Sequence, residues 1–336
     1  VGFIKNILYS VSNKGMLSLV KKQSIFPYYH IINDVNVKHI KHLYQFKNVQ
    51  QFEKDIDILL QHYKPLNPEI FINSSEKMKI PKNHFLLTFD DGLSEVFDII
   101  APILKKNNIS GIFFINPNFI DNKNSLFKHD ISIIIDTLKS SKHSEDSLTK
   151  IKRLLNIEST SSLDQLISSI KKTKHADKGV LKTIANILDV DIPYYINNQK
   201  PYLSKSAIKE MMNMGFYFGG HTMSHPRLAE LDLEEQTEEV INSIHWLKSN
   251  FGIDYSFFAF PFWDKGVSKK LIERIFQYDD KAFVFGNSGI KKDIHSRIIQ
   301  RFSLEDPSKE TEKRIVTENL YKFYNKVIGK YKIRRN

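Results

Sequence analysis

The chain has 336 residues, 41% hydrophobic and 26% charged, enough apolar material for a large core. It has no cysteine, which excludes disulfides, thiolate catalysis and cysteine-ligated metals, so any metal site must use His, Asp or Glu. The net charge of +11 favours acidic partners such as anionic glycans, lipid head groups or nucleic acid.

No apolar run is long enough to cross a bilayer. An amphipathic helix is expected at the start, with Phe3, Ile7, Leu8 and Val11 on one face. The lysines scattered through this segment and the lack of a compact apolar stretch do not read as a signal peptide. A cytoplasmic location is therefore favoured, although the chain opens on Val1 and export stays open. The first strand is expected over 24–32. A helix follows, with Phe52, Ile56, Leu59, Leu60 and Tyr63 at helical spacing. "HFLLTF" then suits a buried strand ending at Asp90-Asp91-Gly92, and Ser94 is placed to cap the next helix. "GIFFI", Gly111 to Ile115, is another strand.

From about 118 to 200 strand signals vanish, and four helical segments are joined by Ser/Asn/Lys-rich links. We read this as a helical insertion in an α/β domain, suited to a lid or a side wall. The α/β pattern resumes with a helix closed by Gly215, the strand and loop "FYFGGHTMSHP", and a long helix capped by Asp232 and Glu235 and ended by Gly252. "SFFAFPF", a helix over 267–277, "AFVF" and "SRIIQRFSL" complete it. The expected organisation is an extension over 1–24, a domain over 25–320 interrupted by the insertion, and a basic tail over 321–336 suited to peripheral membrane contact. Strands alternating with helices indicate a β/α barrel or a doubly wound sheet. In barrels, catalytic groups gather at the C-terminal ends of the strands.

Two of those ends carry chemistry. Asp90 and Asp91 are like charges at the mouth of a buried strand, where desolvation and mutual repulsion both disfavour ionisation. A nearby cation relieves that, with one carboxylate as ligand and the other free as a base. His221 and His225 are four apart, but Pro226 disfavours a helix there, which places both on a loop. A carboxylate and two imidazoles are a common set for a catalytic metal with open positions. Zinc fits, and iron, cobalt, nickel or manganese can take the same ligands.

"LLTFDDG" and "HTMSHP" resemble the first two motifs of the polysaccharide deacetylases with the NodB homology domain (carbohydrate esterase family 4). "YYHII" upstream and "FFAFPFWDKG" downstream are similar as well, the latter to the branch that lacks an arginine at that point. The resemblance covers about 25–118 and 201–306. It implies a distorted (β/α) barrel and a hydrolase acting on carbon–nitrogen bonds other than peptide bonds. Such an enzyme removes acetyl groups from an N-acetylated sugar with the help of a divalent metal. Carried over by position, Asp90 matches the catalytic base, and Asp91, His221 and His225 match the metal ligands. Arg301 matches an arginine that pairs with the base. The backbone near Phe262 would hold the oxyanion.

The family's late leucine-x-histidine motif, source of the general acid, is not recognisable. His295 is the nearest histidine, and His30 in "YYHII" is an alternative from the first strand. Trp263 stands where glycine is usual, and with Phe262, Phe260 and Tyr255 it is a candidate sugar platform. Core packing is the simpler reading for Phe257, Phe258 and Phe260. The expected partner is an N-acetylated glycan in a polysaccharide or glycolipid, not nucleic acid. The competing expectation is a glycan-binding module that has kept the fold without turnover.

Overall fold

Leu87–Phe89 and Gly111–Ile115 are buried at every position, as in strands covered on both faces. In the computed structural model, which describes residues 2–20, 23–73 and 79–336, they belong to a parallel eight-stranded sheet. In chain order its strands are β1 (Pro27–Tyr29), β2 (Leu87–Phe89), β3 (Gly111–Ile115), β4 (Tyr217–Gly220), β5 (Phe257–Ala259), β6 (Phe283–Gly286), β7 (Ile298–Gln300) and β8 (Phe302–Ser303). Each strand pairs with the next as far as β7, and β8 pairs back onto β1. Arg301 alone separates β7 from β8. Its N–H donates to Gly286 O at 3.0 Å, and the next N–H, of Phe302, donates to Phe26 O at 3.2 Å. The last strand thus changes neighbour at one residue. This brings the two edges of the sheet together in a distorted (β/α) barrel of the NodB type.

The strands alternate their side chains between two cores. Phe89, Phe113, Ile115 and Phe218 point outward. They pack with Ile56 and Leu59 of α2 (Val49–His62), Leu104 of α3 (Ala101–Lys106) and Met211 of α4 (Lys205–Asn213). Phe258 and Val284 pack on α5 (Leu233–Phe251) and α6 (Lys269–Tyr278). Ile112, Phe114, Phe257, Ala259, Phe283 and Phe285 fill the lumen. Phe71 plugs its lower end, its ring 4.8 Å from Phe283 and 6.2 Å from Phe257. This barrel belongs to a compact unit formed by Val1–Asp34, Phe46–Ile120 and Leu203–Asn336.

A second unit comprises Val35–Gln45 and Asp121–Tyr202. Its helices are Phe127–Ser140, Glu145–Leu154, Leu163–Lys171, Gly179–Ile187 and Ile192–Gln199. Ile134, Ile151, Leu166, Ile170 and Ile184 are buried in it. The 35–45 segment is fastened by polar contacts: Asp136 meets Lys41 and His42, and Ser132 Oγ donates to Lys38 O at 2.6 Å.

The structure differs from the sequence reading at three local points. The first strand is shorter than 24–32, because the N–H groups of His30 and Ile31 donate to the Glu305 carboxylate (2.8 and 2.9 Å) instead of continuing a ladder. Ser94 does not cap a helix. The segment opens with a π turn, Val96–Ile100, and the Ser94 hydroxyl points to Glu95. The basic stretch from Tyr321 is partly helical, since α7 (Thr311–Val327) runs through it. That helix buries Thr317, Glu318, Asn319, Lys322 and Asn325, a polar face that erases the hydrophobic period. It packs on α1 (Gly2–Val11) through Lys5 and Glu318, 2.5 Å apart.

Candidate active site

Asp90 and Asp91 leave the C-terminal end of β2. The Asp90 N–H donates to Tyr29 O at 3.0 Å. Asp91 (φ 71°) and Gly92 (φ 65°) both adopt left-handed backbone, which turns the chain sharply and separates the two carboxylates. Asp90 faces Arg301, whose Nη1 and Nη2 donate to its two oxygens at 2.7 and 2.9 Å. Arg301 Nη1 also donates to Thr88 Oγ1 at 2.9 Å, and its Nε to Gly286 O at 3.2 Å. The guanidinium is wholly buried, with the rings of Tyr28 and Phe114 5.0 and 5.1 Å away. Burial would raise the Asp90 carboxyl, but Arg301, with help from His221 and His30, holds it below its usual range.

Asp91 faces the other way, toward the histidines. His221 follows β4, where its N–H donates to Ile115 O at 2.9 Å. Its Nδ1 donates to Ala259 O at 2.8 Å, which leaves Nε2 with its lone pair 3.5 Å from Asp91 Oδ1. His225 Nε2 lies 3.1 Å from the same oxygen. The loop between the histidines is held by residues that are not themselves in this group. Asn116 Nδ2 donates to His221 O and Thr222 O, and Ser224 N and Oγ donate to Glu239 of α5 at 2.9 and 2.6 Å. A Cβ on Gly219 would come within 2.6 Å of the Phe114 ring, and one on Gly220 would strike Ser243 Oγ. The double glycine is therefore what lets this strand pass between its neighbours.

Asp91, His221 and His225 are all buried, and their ligand atoms lie within 4.8 Å of one another. Asp91 Oδ1 has no hydrogen-bond partner among the described residues, although two imidazole nitrogens lie close by. A buried carboxylate oxygen facing two imidazole nitrogens, one of them (His221 Nε2) left with its lone pair, fits a shared cation. Burial would raise Asp91, yet His225 and His221 hold it well below the carboxylate range.

The Phe260-Pro261-Phe262 segment reaches the same end of the barrel from β5. The Phe262 ring packs on His225 at 4.5 Å, and its backbone is left-handed at φ 55°. Thr222 (φ 67°) and His225 (φ 56°) share that conformation, so strained backbone gathers around the three candidate ligands. Asn287 holds the segment through its Nδ2, which donates to Phe262 O, and its Oδ1, which accepts from Asp264 N at 3.3 Å. Trp263 stands on the surface, 64% exposed. Phe257, Phe258 and Phe260 are buried in the cores. Tyr255 precedes β5 at the far end, where its hydroxyl accepts from Phe218 N at 3.2 Å, so it has no place in a sugar platform here.

His30 follows β1 and belongs to this end. Its Nδ1 lies 2.8 Å from Glu305 Oε2. Burial would lower its pKa, but Glu305, followed by Asp91 and Asp90, raises it to about 10. His295 is not brought to the site. It precedes β7 at the opposite end of the barrel, its ring tilted against Phe276 of α6 at 4.4 Å and its Nδ1 accepting from Arg297 N. Glu305, Asn287, Asn116 and Glu239 were not singled out from sequence. Only Glu305 had a local signal, its proximity to Arg301 in "RFSLED".

A family model described as polysaccharide deacetylase matches residues 77–153 and 165–281, more than half of the chain. The chain belongs to the polysaccharide deacetylase family. Among solved structures, this family member is similar to the Streptococcus pyogenes deacetylase PplD, determined in complex with acetate. The two are 16% identical with a TM-score of 0.55, over 88% of this chain and 98% of that one. IcaB from Ammonifex degensii is 15% identical with a TM-score of 0.51, over 89% and 97%. At these identities the likeness is one of fold. No curated protein sequence matches.

Proposed function

We propose that this member of the family hydrolyses the N-acetyl group of an N-acetylated sugar in a polysaccharide or glycolipid, using a divalent cation held by Asp91, His221 and His225. The observation that carries the reading is the buried Asp91–His221–His225 group beside a second carboxylate, Asp90, that lies outside it and is paired to Arg301. A bound cation would supply Lewis acidity, polarising the acetamide carbonyl and acidifying water. Zinc suits the donors, and cobalt, nickel, iron or manganese can occupy them too.

The remaining chemistry falls to the chain's own groups. Asp90, kept ionised by Arg301, takes the proton of the attacking water. The Phe262 N–H, which has no acceptor among the described residues, is the donor placed to meet the developing oxyanion. His30, kept protonated by Glu305, is the group positioned to give a proton to the leaving amine. Trp263, exposed on the rim beside Phe262, offers a flat face for a sugar ring.

The test is acetate release from N-acetylated chitooligosaccharides and glycan extracts, before chelation, after it, and after adding back each metal. Release that stops with chelator and returns with metal supports the proposal. Metal-loaded protein that binds glycans and releases no acetate from any of them would make it a binding module instead.

A further inference from the structure

The segment Tyr331–Asn336 is folded back onto the barrel. Lys292 N donates to Tyr331 O at 3.1 Å, Ile333 N to Lys292 O at 2.8 Å, and Lys269 N to Asn336 O at 2.7 Å. These bonds deliver Arg335 into the interior, with its side chain 1% exposed and facing Asp264 and Asp293, which are equally buried. Arg335 Nη2 donates to Asp264 Oδ2 at 2.8 Å and to Asp293 Oδ2 at 2.7 Å. Its Nε donates to Asp293 Oδ1 at 2.9 Å, and its Nη1 to the Asp264 backbone oxygen at 3.0 Å. Gln300 Nε2 donates to both carboxylates at 2.8 Å, and Ser288 Oγ donates to Asp264 Oδ1 at 2.7 Å. The cluster lies so close to β6 that a Cβ on Gly286 would strike Gln300 Nε2 and come within 2.6 Å of Asp264 Oδ2.

The position of this cluster gives it a part in the site. Asp264 is two residues after Phe262, on the loop whose ring packs on His225 and whose N–H faces the reacting carbonyl under the proposed function. Gln300 immediately precedes Arg301, the partner of Asp90. One arginine from a distant stretch of chain thus ties the Phe262 loop to the strand that fixes the base. The Phe262 backbone is left-handed without being glycine, a conformation that persists only when its surroundings over-determine it. Asn287 holds it directly, donating to Phe262 O and accepting from Asp264 N, and the Asp264 carboxylate anchors the chain two residues further on. Without the Arg335 cation, Asp264 and Asp293 would be two buried carboxylates left with the neutral donors of Gln300, Ser288 and the Ile294 N–H, and repulsion would drive the Asp264 loop outward.

We infer that Arg335 is a positioning residue for the active site, clamping the Phe262–Asp264 loop through Asp264. The kinetic arm of the test rests on the deacetylase reading, whereas a fluorescence arm does not. The chain has two tryptophans, Trp246 and Trp263, so a Trp246→Phe background leaves Trp263 as the sole reporter on the loop. In that background Arg335→Gln should lower Trp263 anisotropy and increase its quenching by acrylamide, and Arg335→Lys, which keeps the charge and loses the fork, should fall between. On N-acetylated chitooligosaccharide, Arg335→Gln should lower kcat about tenfold or more, with a KM change under about threefold, because misplaced transition-state groups act on kcat. Adding Asp293→Asn to Arg335→Gln restores the original charge balance, and so keeps the test open if the single variant is poorly folded. The inference is overturned if anisotropy and kcat are unchanged in Arg335→Gln. It is also overturned if activity falls only in step with melting temperature while Trp263 stays as rigid as before. A parent protein that releases no acetate refutes the deacetylase reading, and the anisotropy then decides the clamp alone.

Discussion

Replacing Arg301 with methionine tests the central electrostatic argument. Methionine keeps an unbranched apolar stem but removes the guanidinium, and with it both donors to Asp90 and the cation beside the Tyr28 and Phe114 rings. The Asp90 carboxylate would then be buried without its cation, and breaking such a pair costs about 3–5 kcal/mol. With an unfolding entropy of about 2.1 cal/mol/K per residue, a chain of 336 residues should lose about 4–7 °C in melting temperature. The same change in an Asp90→Asn background leaves no orphaned charge, so the loss should be much smaller, with a coupling of at least about 2 kcal/mol between the two sites. Urea denaturation of all four proteins in chelator at pH 7 measures this. The sign with pH follows from the pairing. Asp90 is lowered in the folded state, so its contribution is present above its unfolded pKa and is lost as pH falls through the depressed value. Without Arg301 burial dominates and raises Asp90, so its ionisation should oppose folding and the deficit of the variant should shrink as pH falls toward the unfolded value. Additive effects of the two substitutions would refute the buried-pair account.

Four further outcomes are expected. Asp90→Asn should keep its metal, measured by elemental analysis, and release no acetate; loss of metal would move Asp90 into the ligand set. His225→Ala should cut metal content sharply, and an unchanged stoichiometry would remove it from the site. Glu305→Gln removes the largest influence raising His30, so its pKa should fall from about 10 and the alkaline limb of activity should move to lower pH; a fixed limb would deny His30 the role of acid. Burial pushes Asp130, in the second unit, up to about 6, so its ionisation opposes folding above that pH and the penalty fades as pH falls toward its unfolded value. Asp130→Asn should therefore stabilise by about 2–3 kcal/mol at pH 8 and by little at pH 4, and an equal gain at both would contradict the cause.

What was legible in the sequence was what short stretches encode. "TFDDG" and "GGHTMSHP" place Asp91, His221 and His225 at strand ends because a buried strand, a turn and a loop each leave a local signature. The capping box of Asp232 with Glu235 and the left-handed Gly252 at the end of α5 were legible for the same reason. Contacts between distant stretches left no such mark. Glu305 reaches His30 across 275 positions, and Arg335 reaches Asp264 across 71. A charged residue in a basic tail looks the same whether it is solvated or buried against two carboxylates. His295 drew attention only by its type, and its position before rather than after a strand puts it at the wrong end of the barrel. The attachment of 35–45 to the helical unit depends on Asp136 and Ser132, which no periodicity reveals.

The left-handed residues around the candidate ligands are Asp91, Thr222, His225 and Phe262. Their loops are fastened by Asn116, Glu239 and Asn287, none of which is a candidate ligand. Under the proposed function, the shape of the cation seat would be maintained by groups other than the ion's own ligands. Exchanging one divalent ion for another would then ask for no refolding of the chain. Differences in turnover between metals should then report the chemistry of the ions themselves, which makes metal substitution a clean probe of this barrel.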